Sequence, residues 1–163
     1  MTQVWVSIGS NIEPETNVRC AIRLLREQFG ELQISPVYRT AAIGFDGEDF
    51  LNLVTGFDTS CALAELDNRL DTIERQFGRA RGGERFAPRS LDIDILFYGE
   101  LVNHLQGGRI PRRELLECAF MLKPLYDVAP GFRHPQYGRT IAEIWTDVDF
   151  SQQRCERVEM NLN

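Results

Sequence analysis

The stretch SLDIDILFY, residues 90–98, alternates polar and apolar side chains before it reaches an apolar end. Alternation with a period of two is typical of a β-strand that has one buried face. Asp92 and Asp94 would then share one face, about 7 Å apart along the strand. The leucine and isoleucines between them would point into a core. The sequence therefore predicts a strand that presents two carboxylates on one side.

The chain before this strand predicts alternating strands and helices. Between residues 63 and 77, apolar side chains recur at alternating intervals of three and four, as in an amphipathic helix. In chain order the predicted elements are a strand at residues 4–8, a helix at 18–29, an extended segment at 32–38, a strand at 51–57, a helix at 63–77 and the strand at 90–98. The order β-α-β-β-α-β indicates an α+β protein with a ferredoxin-like core, an antiparallel sheet with helices on one face.

The remaining segments are predicted to be loops and a C-terminal elaboration. IGFDGED at 43–49 and RARGGERFAP at 79–88 are rich in glycine and charge, and both are expected to be mobile loops. Helices are expected around 113–128 and 140–146, whereas the polar tail from about residue 150 is expected to fray. No linker or repeat divides the chain, so residues 1–163 are predicted to form one domain.

The composition is that of an ordinary soluble globular protein, and a location in the cytoplasm is expected. The chain has 24 acidic and 18 basic residues, a net charge of −6, and 43% hydrophobic residues. No apolar run approaches the ~20 residues of a membrane helix, and the N-terminal sequence MTQVWVSIGSN lacks the features of a signal peptide. Four widely spaced cysteines form no C-x-x-C pair and are expected to be free thiols.

Basic residues are concentrated around the aspartate pair. Residues 79–113 contain seven arginines and four acidic residues. Two like charges about 5 Å apart repel by roughly 3 kcal/mol at an effective dielectric of ~20. Magnesium held by carboxylates and substrate phosphates would offset this repulsion, and arginine suits phosphate geometry. A solvent-facing edge strand, with both charges screened by water, is the alternative. No Walker-type or kinase motif is present.

These residues occur in a pattern that resembles the 6-hydroxymethyl-7,8-dihydropterin pyrophosphokinase family from about Val4 to Pro130. The matching motifs are SIGSN at 7–11, YRT at 38–40, FLN at 50–52, the run from Ile73 to Arg81, PRSLDIDILFYG at 88–99 and FMLKPLYDVAP at 120–130. The resemblance implies a ferredoxin-like fold, a catalytic core at about residues 3–130, and transfer of pyrophosphate from ATP to a pterin alcohol in folate biosynthesis.

The resemblance also implies roles for individual residues. Asp92 and Asp94 would hold two magnesium ions, and with Arg79 and Arg89 they would be the catalytic residues. The implied ATP-binding residues are Glu74, Arg79, Arg81, Arg89 and Ile95. The implied pterin-binding residues are Thr40, Ala41, Ile43, Gly44, Phe50, Asn52, Phe86 and Phe120. Phe50 and Phe120 would stack on the two faces of the pterin.

The chain departs from the family pattern at three places. Arg112 and Arg113 stand where a His–Tyr or His–Pro pair is frequent, and Cys118 stands where an ATP-contacting arginine is usual. Alanines replace the prolines that commonly follow YRT. One hypothesis is that Arg109, Arg112 or Arg113 supplies the charge that is missing at Cys118.

Two other functions remain open from the sequence. A palm-like nucleotidyl transferase or cyclase also carries paired strand aspartates, and a non-catalytic relative could bind pterin or nucleotide without turnover. Binding to nucleic acid is not expected, because the basic cluster is short and has no groove-reading motif. Small-molecule substrates, no membrane contact and a monomeric state are expected.

Overall fold

The predicted order of strands and helices through residue 98 is confirmed in the computed structural model, which describes residues 1–42, 47–77, 90–103 and 109–162. The strands are β1 (Thr2–Ser10), β2 (Gln33–Ile34), β3 (Val37–Thr40), β4 (Phe50–Thr59), β5 (Asp92–Tyr98) and β6 (Cys155–Val158). The helices are α1 (Pro14–Phe29), α2 (Leu63–Gln76), α3 (Ala119–Val128) and α4 (Ile141–Asp147), and a short 3-10 helix spans Arg113–Leu116. Most of the two predicted mobile loops lies outside the described residues.

The strands form one antiparallel sheet in the order β5-β1-β4-β3-β6, and β2 also pairs with β4. Alternate residues of β1, such as Val6 and Ile8, are fully buried in a core with Ile22 of α1 and Ile73 of α2. Burying these apolar faces removes each side chain from water at a gain of about 1.5–3 kcal/mol. The ferredoxin-like arrangement predicted from the sequence is therefore confirmed.

The opposite face of the sheet is covered by the C-terminal helices. Trp5, Val54 and Leu96 point to this face and pack with apolar residues of α3 and α4 in a second buried cluster. The Trp5 indole ring packs directly on the backbone of Gly56. A Cβ added at Gly56 would be only 2.5 Å from this ring. Both faces of the sheet are thus covered, and β1 and β4 are buried along most of their length.

The extended segment predicted at 32–38 consists of two strands separated by Ser35 and Pro36. Proline cannot donate to a strand ladder, and the neighbouring serine bridges the interruption. The Ser35 N–H donates to the Val54 carbonyl at 3.0 Å, and the Val54 N–H donates to the Ser35 hydroxyl oxygen at 2.9 Å. Both strands therefore stay on β4 despite the break.

The C-terminal tail differs from the prediction, because residues 155–158 are not frayed but form β6. This strand pairs with β3, from Val37 opposite Val158 to Thr40 opposite Cys155. Without β6 the outer edge of β3 would expose unpaired backbone groups. Beyond β6, Met160 and Leu162 pack against the first core. None of the helices in the described ranges has the length and apolar character needed to cross a membrane.

The helix predicted at 113–128 is interrupted. Cys118 has extended backbone angles, φ −126° and ψ 117°, and separates the 3-10 helix from α3. The helix predicted at 140–146 is α4, and the Thr140 hydroxyl caps it by accepting a hydrogen bond from the Glu143 N–H. The interruption places the first turn of α3 against the C-terminal segment, at one end of the sheet face described next.

Candidate functional site

The two aspartates of β5 lie on the face of the sheet opposite the core formed with α1 and α2. Ile93, between them, is 5% exposed and belongs to that core. On the neighbouring strand β1, Gly9 lies opposite Asp92 and Ser7 lies opposite Asp94. The strand pairing therefore puts both carboxylates on one face of the sheet, as the sequence predicts.

Arg112 is placed directly beside this carboxylate pair. Its Nη2 atom lies 2.9 Å from Oδ1 of Asp94, and its backbone N–H donates to the Leu96 carbonyl at 3.1 Å. The backbone bond fixes residue 112 on the strand that carries Asp94. Glu114 approaches the Arg112 Nε atom at 3.6 Å. The guanidinium therefore lies in an acidic environment.

The other two arginines considered for the missing charge lie elsewhere. Arg113 is 69% exposed at its side chain and pairs with Glu117 at 3.7 Å. Arg109 is exposed. Of the three candidates, Arg112 is the one that the structure brings to the aspartates.

A buried polar pair lies farther along the same face. The Asn52 amide nitrogen donates to the Thr40 hydroxyl oxygen at 2.6 Å, and both residues are at most 5% exposed. Asn52 lies opposite Gly9 of β1, and a Cβ on Gly9 would be 2.7 Å from the Asn52 Oδ1 atom. The missing side chain at Gly9 thus leaves the space that the amide occupies. Strand pairing connects this amide, through Gly9, to Asp92.

The aromatic residues expected to stack on the ligand lie at two ends of this region. Phe50 begins β4 and is half-buried, and its ring would be 3.8 Å from a Cβ on Gly9. Phe120 is the second residue of α3 and packs against the second core at its edge. Because α3 packs on β3 and β4, Phe50 and Phe120 belong to elements on the half of the face that holds Asn52. Ala41 follows β3 directly and is exposed.

Glu74 and Ile95 lie on the other side of the sheet. Glu74 is 7% exposed on α2, and Ile95 is 8% exposed in the core that α2 and β5 share. Both residues therefore lie on the α2 side of the sheet, on the face opposite the aspartates and Asn52. Six predicted site residues lie outside the described residues: Ile43, Gly44, Arg79, Arg81, Phe86 and Arg89.

The environment of Cys118 keeps its side chain uncharged. Burial, with a smaller contribution from Glu117 and Glu114, raises the pKa of this thiol to about 11. The thiol is therefore protonated at neutral pH. It provides no positive charge where the family resemblance leads one to expect an arginine, and no negative charge that would repel phosphate.

The aspartate pair fits a magnesium ion in its chemistry. Among the residues that the structure describes, no three His, Cys, Asp or Glu side chains form a metal-binding group. Magnesium, however, is commonly held by one or two carboxylates together with water and substrate phosphates. Two carboxylates on one face, flanked by the Ser7 position, supply the hard oxygen ligands of such a site.

Ser7 and Gly9 have no role in the sequence-based predictions, although both lie in the SIGSN motif. A glycine inside a strand is a recognised sign of close approach by another group, so Gly9 could have been singled out. The Arg112 contact could not, since it joins residues 18 positions apart in the chain.

Comparisons with known proteins show the family of this chain. Residues 5–130 match the model of the 7,8-dihydro-6-hydroxymethylpterin-pyrophosphokinase (HPPK) family. A protein of Pseudomonas aeruginosa named 2-amino-4-hydroxy-6-hydroxymethyldihydropteridine pyrophosphokinase is 36% identical over 147 residues, covering 87% of this chain and 89% of the relative. The protein of the same name from Aquifex aeolicus is 33% identical, with 88% and 91% covered.

Solved structures share the fold. An HPPK-DHPS structure in complex with substrates superposes with a TM-score of 0.68 at 15% identity, covering 89% of this chain and 43% of the other. Wild-type HPPK-DHPS of Plasmodium falciparum gives a TM-score of 0.69 at 13% identity, with 89% and 44% covered. The chain thus spans less than half the length of these solved chains. By the family match and the full-length relatives, the chain belongs to the 7,8-dihydro-6-hydroxymethylpterin-pyrophosphokinase family.

Proposed function

We propose that this protein transfers a pyrophosphoryl group from ATP to 6-hydroxymethyl-7,8-dihydropterin, giving AMP and the pterin diphosphate, as a step of folate biosynthesis. Family membership supports the reaction and ATP as the co-substrate. The observation that carries the proposal onto this chain is the shared sheet face, where Asp92 and Asp94 lie across β1 from the buried Asn52–Thr40 pair.

The reaction requires little covalent chemistry from the protein. The hydroxymethyl oxygen attacks the β-phosphorus of ATP, the bond from this phosphorus to the α-phosphate oxygen breaks, and the electrons of that bond leave with AMP. The alcohol proton is lost to an acceptor as the new bond forms. Catalysis of such a transfer consists mainly of positioning and of stabilising charge on the phosphoryl oxygens.

Asp92 and Asp94 are proposed to bind the two magnesium ions that accompany the ATP phosphates. When bound, magnesium would neutralise phosphate charge at this end of the site. The backbone of Arg112 is already hydrogen-bonded to β5. When ATP binds, the Arg112 guanidinium is proposed to release Asp94 and bind a phosphate oxygen instead. Arg79, Arg81 and Arg89 are proposed to bind the phosphates as well, on the strength of the sequence resemblance.

The other half of the face is proposed to bind the pterin. Asn52 and Thr40 offer amide and hydroxyl groups to the polar edge of the ring, and a site of this kind discriminates strongly against ligands that lack the matching groups. Phe50 and Phe120 are proposed to stack on the two faces of the heterocycle. Glu74 and Ile95 are proposed as nucleotide contacts on the strength of the sequence resemblance alone, since the structure places both on the opposite side of the sheet.

We further propose that residues 1–163 act as one domain, as a monomer and in the cytoplasm. The strand β6 supports the first point, since it belongs to the same sheet as the proposed catalytic core. Sedimentation of the purified protein at micromolar concentration tests the monomer, for which a mass of 18.7 kDa is expected.

An assay for AMP with and without the hydroxymethyl-dihydropterin tests the proposed function. We expect AMP to form only when ATP, magnesium and pterin are all present. Asp94→Asn should lower turnover by about three orders of magnitude, because it removes a ligand charge at the transferred group. Its melting temperature should change little, since the side chain is partly exposed.

Asp149→Asn, an exposed carboxylate in the C-terminal region, is the matched control and should leave turnover unchanged. Pyrophosphate release from ATP without pterin would contradict the proposal and support a nucleotidyl transferase. Binding of pterin and ATP without AMP formation would instead support a non-catalytic relative.

A further inference from the structure

Three consecutive residues of the C-terminal segment, Gln153, Arg154 and Cys155, contact different parts of the proposed pterin site. The segment lies outside residues 5–130, the part of the chain that matches the family model. Its three contacts reach α3, the start of β4 and the end of β3, respectively. We refer to residues 153–155 as the C-terminal brace.

Gln153 caps the first turn of α3 from outside the helix. The Ala119 N–H donates to the Gln153 Oε1 atom at 2.8 Å, and the Gln153 Nε2 atom donates to the Glu117 carbonyl at 2.9 Å. Cys118, at the N-cap position, makes no side-chain hydrogen bond to the helix. The amide of Gln153 therefore satisfies a backbone donor that the helix itself leaves open, at the residue directly before Phe120.

Arg154 reaches the residue directly before Phe50. Its Nη1 atom lies 3.0 Å from Oδ2 of Asp49, and its Nε atom lies 3.3 Å from Glu156 on β6. The ion pair thus links the beginning of β4 to the C-terminal strand. Both side chains are partly exposed, so the pair adds little to stability. It nevertheless joins residue 49 to the C-terminal segment.

Cys155 joins the third part of the site. It pairs with Thr40 in the β3–β6 ladder, and its Sγ atom lies 3.9 Å from the Ala119 carbonyl oxygen. Burial raises the pKa of this thiol to about 11, so the thiol remains a donor at neutral pH. Cys155 therefore connects the strand that holds Thr40 with the turn that precedes Phe120.

The spacing of the stacking rings depends on contacts of this kind. A heterocycle stacked on both faces needs two contacts of about 3.5–4.0 Å each, so the slot must be about 7–8 Å wide. Phe50 and Phe120 lie on different elements and are 70 positions apart in the chain. A shift of about 1 Å in either element is enough to weaken binding in a site that positions its ligand.

We propose that the C-terminal brace is a set of positioning residues for the pterin, which holds the walls of its site at the correct separation without contacting ATP. The inference rests on the proposed function. It predicts that loss of the brace weakens pterin binding and leaves nucleotide binding unchanged, because the brace contacts α3, β3 and the start of β4, whereas Asp92, Asp94 and Arg112 lie across β1 from that half of the face.

Steady-state kinetics of Gln153→Ala test the proposal. The variant should raise the KM for the pterin about tenfold, which corresponds to the loss of about one to two hydrogen bonds. The KM for ATP and kcat should stay within about twofold of wild type. Gln153→Glu retains the acceptor for the Ala119 N–H and loses the donor to Glu117, so it should recover part of the pterin affinity.

Gln152→Ala and Arg157→Ala are matched controls, because both residues are exposed and flank the brace on the same segment. Both should behave as wild type. If Gln153→Ala fails to fold, Arg154→Ala and Asp49→Ala provide the test, since both residues are partly exposed. Each should raise the KM for the pterin about two- to threefold, and the double variant should add nothing further.

The two proposals fail in different ways. A wild-type protein that forms AMP with pterin, combined with brace variants whose pterin KM is unchanged, overturns the brace alone. Equal increases in the KM for ATP and for the pterin would also overturn it, because they would indicate a general loss of structure. If the wild-type protein forms no pterin-dependent AMP, the proposed function is wrong. The role proposed for the C-terminal brace, which rests on that function, is then wrong as well.

Discussion

At the scale of single residues, the contact between Arg112 and Asp94 offsets repulsion between two strand carboxylates. The guanidinium lies 2.9 Å from Oδ1 of Asp94, and the side chains are 33% and 22% exposed. Exposed ion pairs contribute little, but partial burial and a charged hydrogen bond strengthen this one. Arg112 thus holds a positive charge at the place where magnesium and phosphate are proposed to bind.

Arg112→Ala should raise the affinity of the protein for a divalent cation alone and lower its affinity for ATP. Removing the guanidinium leaves the carboxylates unneutralised, so a divalent cation alone should bind about three- to tenfold more tightly. ATP should bind about tenfold more weakly, because a charge-assisted hydrogen bond contributes about 1.5–3 kcal/mol. Titration calorimetry with manganese alone, and then with a nonhydrolysable ATP analogue and magnesium, measures both constants.

Arg113→Ala is the control for this comparison, because Arg113 faces solvent and pairs with Glu117 instead. It should leave both affinities within about twofold of wild type. If Arg113→Ala weakens ATP binding as much as Arg112→Ala does, the proposed replacement of the charge missing at Cys118 by Arg112 is wrong.

At the scale of strands and helices, the pairing of β1 with β4 decides where the Asn52 amide lies. Gly9 is opposite Asn52, and any Cβ at Gly9 would be 2.7 Å from the amide oxygen. Gly9→Ala should therefore push the amide out of its place and break its 2.6 Å hydrogen bond to Thr40. We expect the KM for the pterin to rise more than tenfold, measured in the AMP assay.

Gly131→Ala is the matched control, because nothing lies within 4 Å of a Cβ at that position. It should preserve the KM for the pterin. The melting temperature of Gly9→Ala should fall by about 2–8 °C, as expected for a strain of about 1–2 kcal/mol. Normal pterin affinity in Gly9→Ala would show that Asn52 does not contact the ligand.

Elements with a strong local pattern could be predicted from the sequence, and those fixed by distant contacts could not. The helix at 63–77 and the strand at 90–98 have regular apolar spacing, and this periodicity alone was sufficient to predict both elements. The strand β6 is polar, and it exists because β3 offers a free edge more than 100 residues earlier in the chain. The sequence alone does not show that edge.

The same distinction applies within the site. Asp92 and Asp94 share a face because of their spacing, which the sequence shows directly. The contacts of Arg112 with Asp94 and of Gln153 with Ala119 join residues that are 18 and 34 positions apart in the chain. No local pattern specifies those contacts. Cys118 suggested a missing charge, and only the fold shows that Arg112, among the three neighbouring arginines, lies beside Asp94.

At the scale of the whole molecule, a histidine is buried beside the second core, and its protonation should affect the free energy of unfolding. His134 is 2% exposed, and the edge of its ring contacts Phe97 of the second core. Its Nδ1 atom accepts hydrogen bonds from the backbone N–H groups of Gln136 and Tyr137 at 3.2 and 3.3 Å. Protonation would remove this acceptor, and the positive charge would be buried among aromatic rings.

The free energy of unfolding should therefore fall as the pH is lowered. Burial lowers the pKa of His134 from 6.5 to about 4 in the folded protein. The unfolded chain binds the proton first, so this stabilisation is complete above pH 6.5 and is lost between pH 6.5 and pH 4. The histidine alone should account for a loss of about 2 kcal/mol between pH 7 and pH 5.

Urea denaturation of wild type and His134→Gln at both pH values measures this contribution. Glutamine has no titrating group, so the variant should lose about 2 kcal/mol less than wild type over the same interval, even if it is less stable at pH 7. The carboxylates titrate in both proteins and cancel in the difference. Parallel losses in the two proteins would mean that His134 titrates alike in the folded and unfolded chains, and the second core would then not exclude the proton.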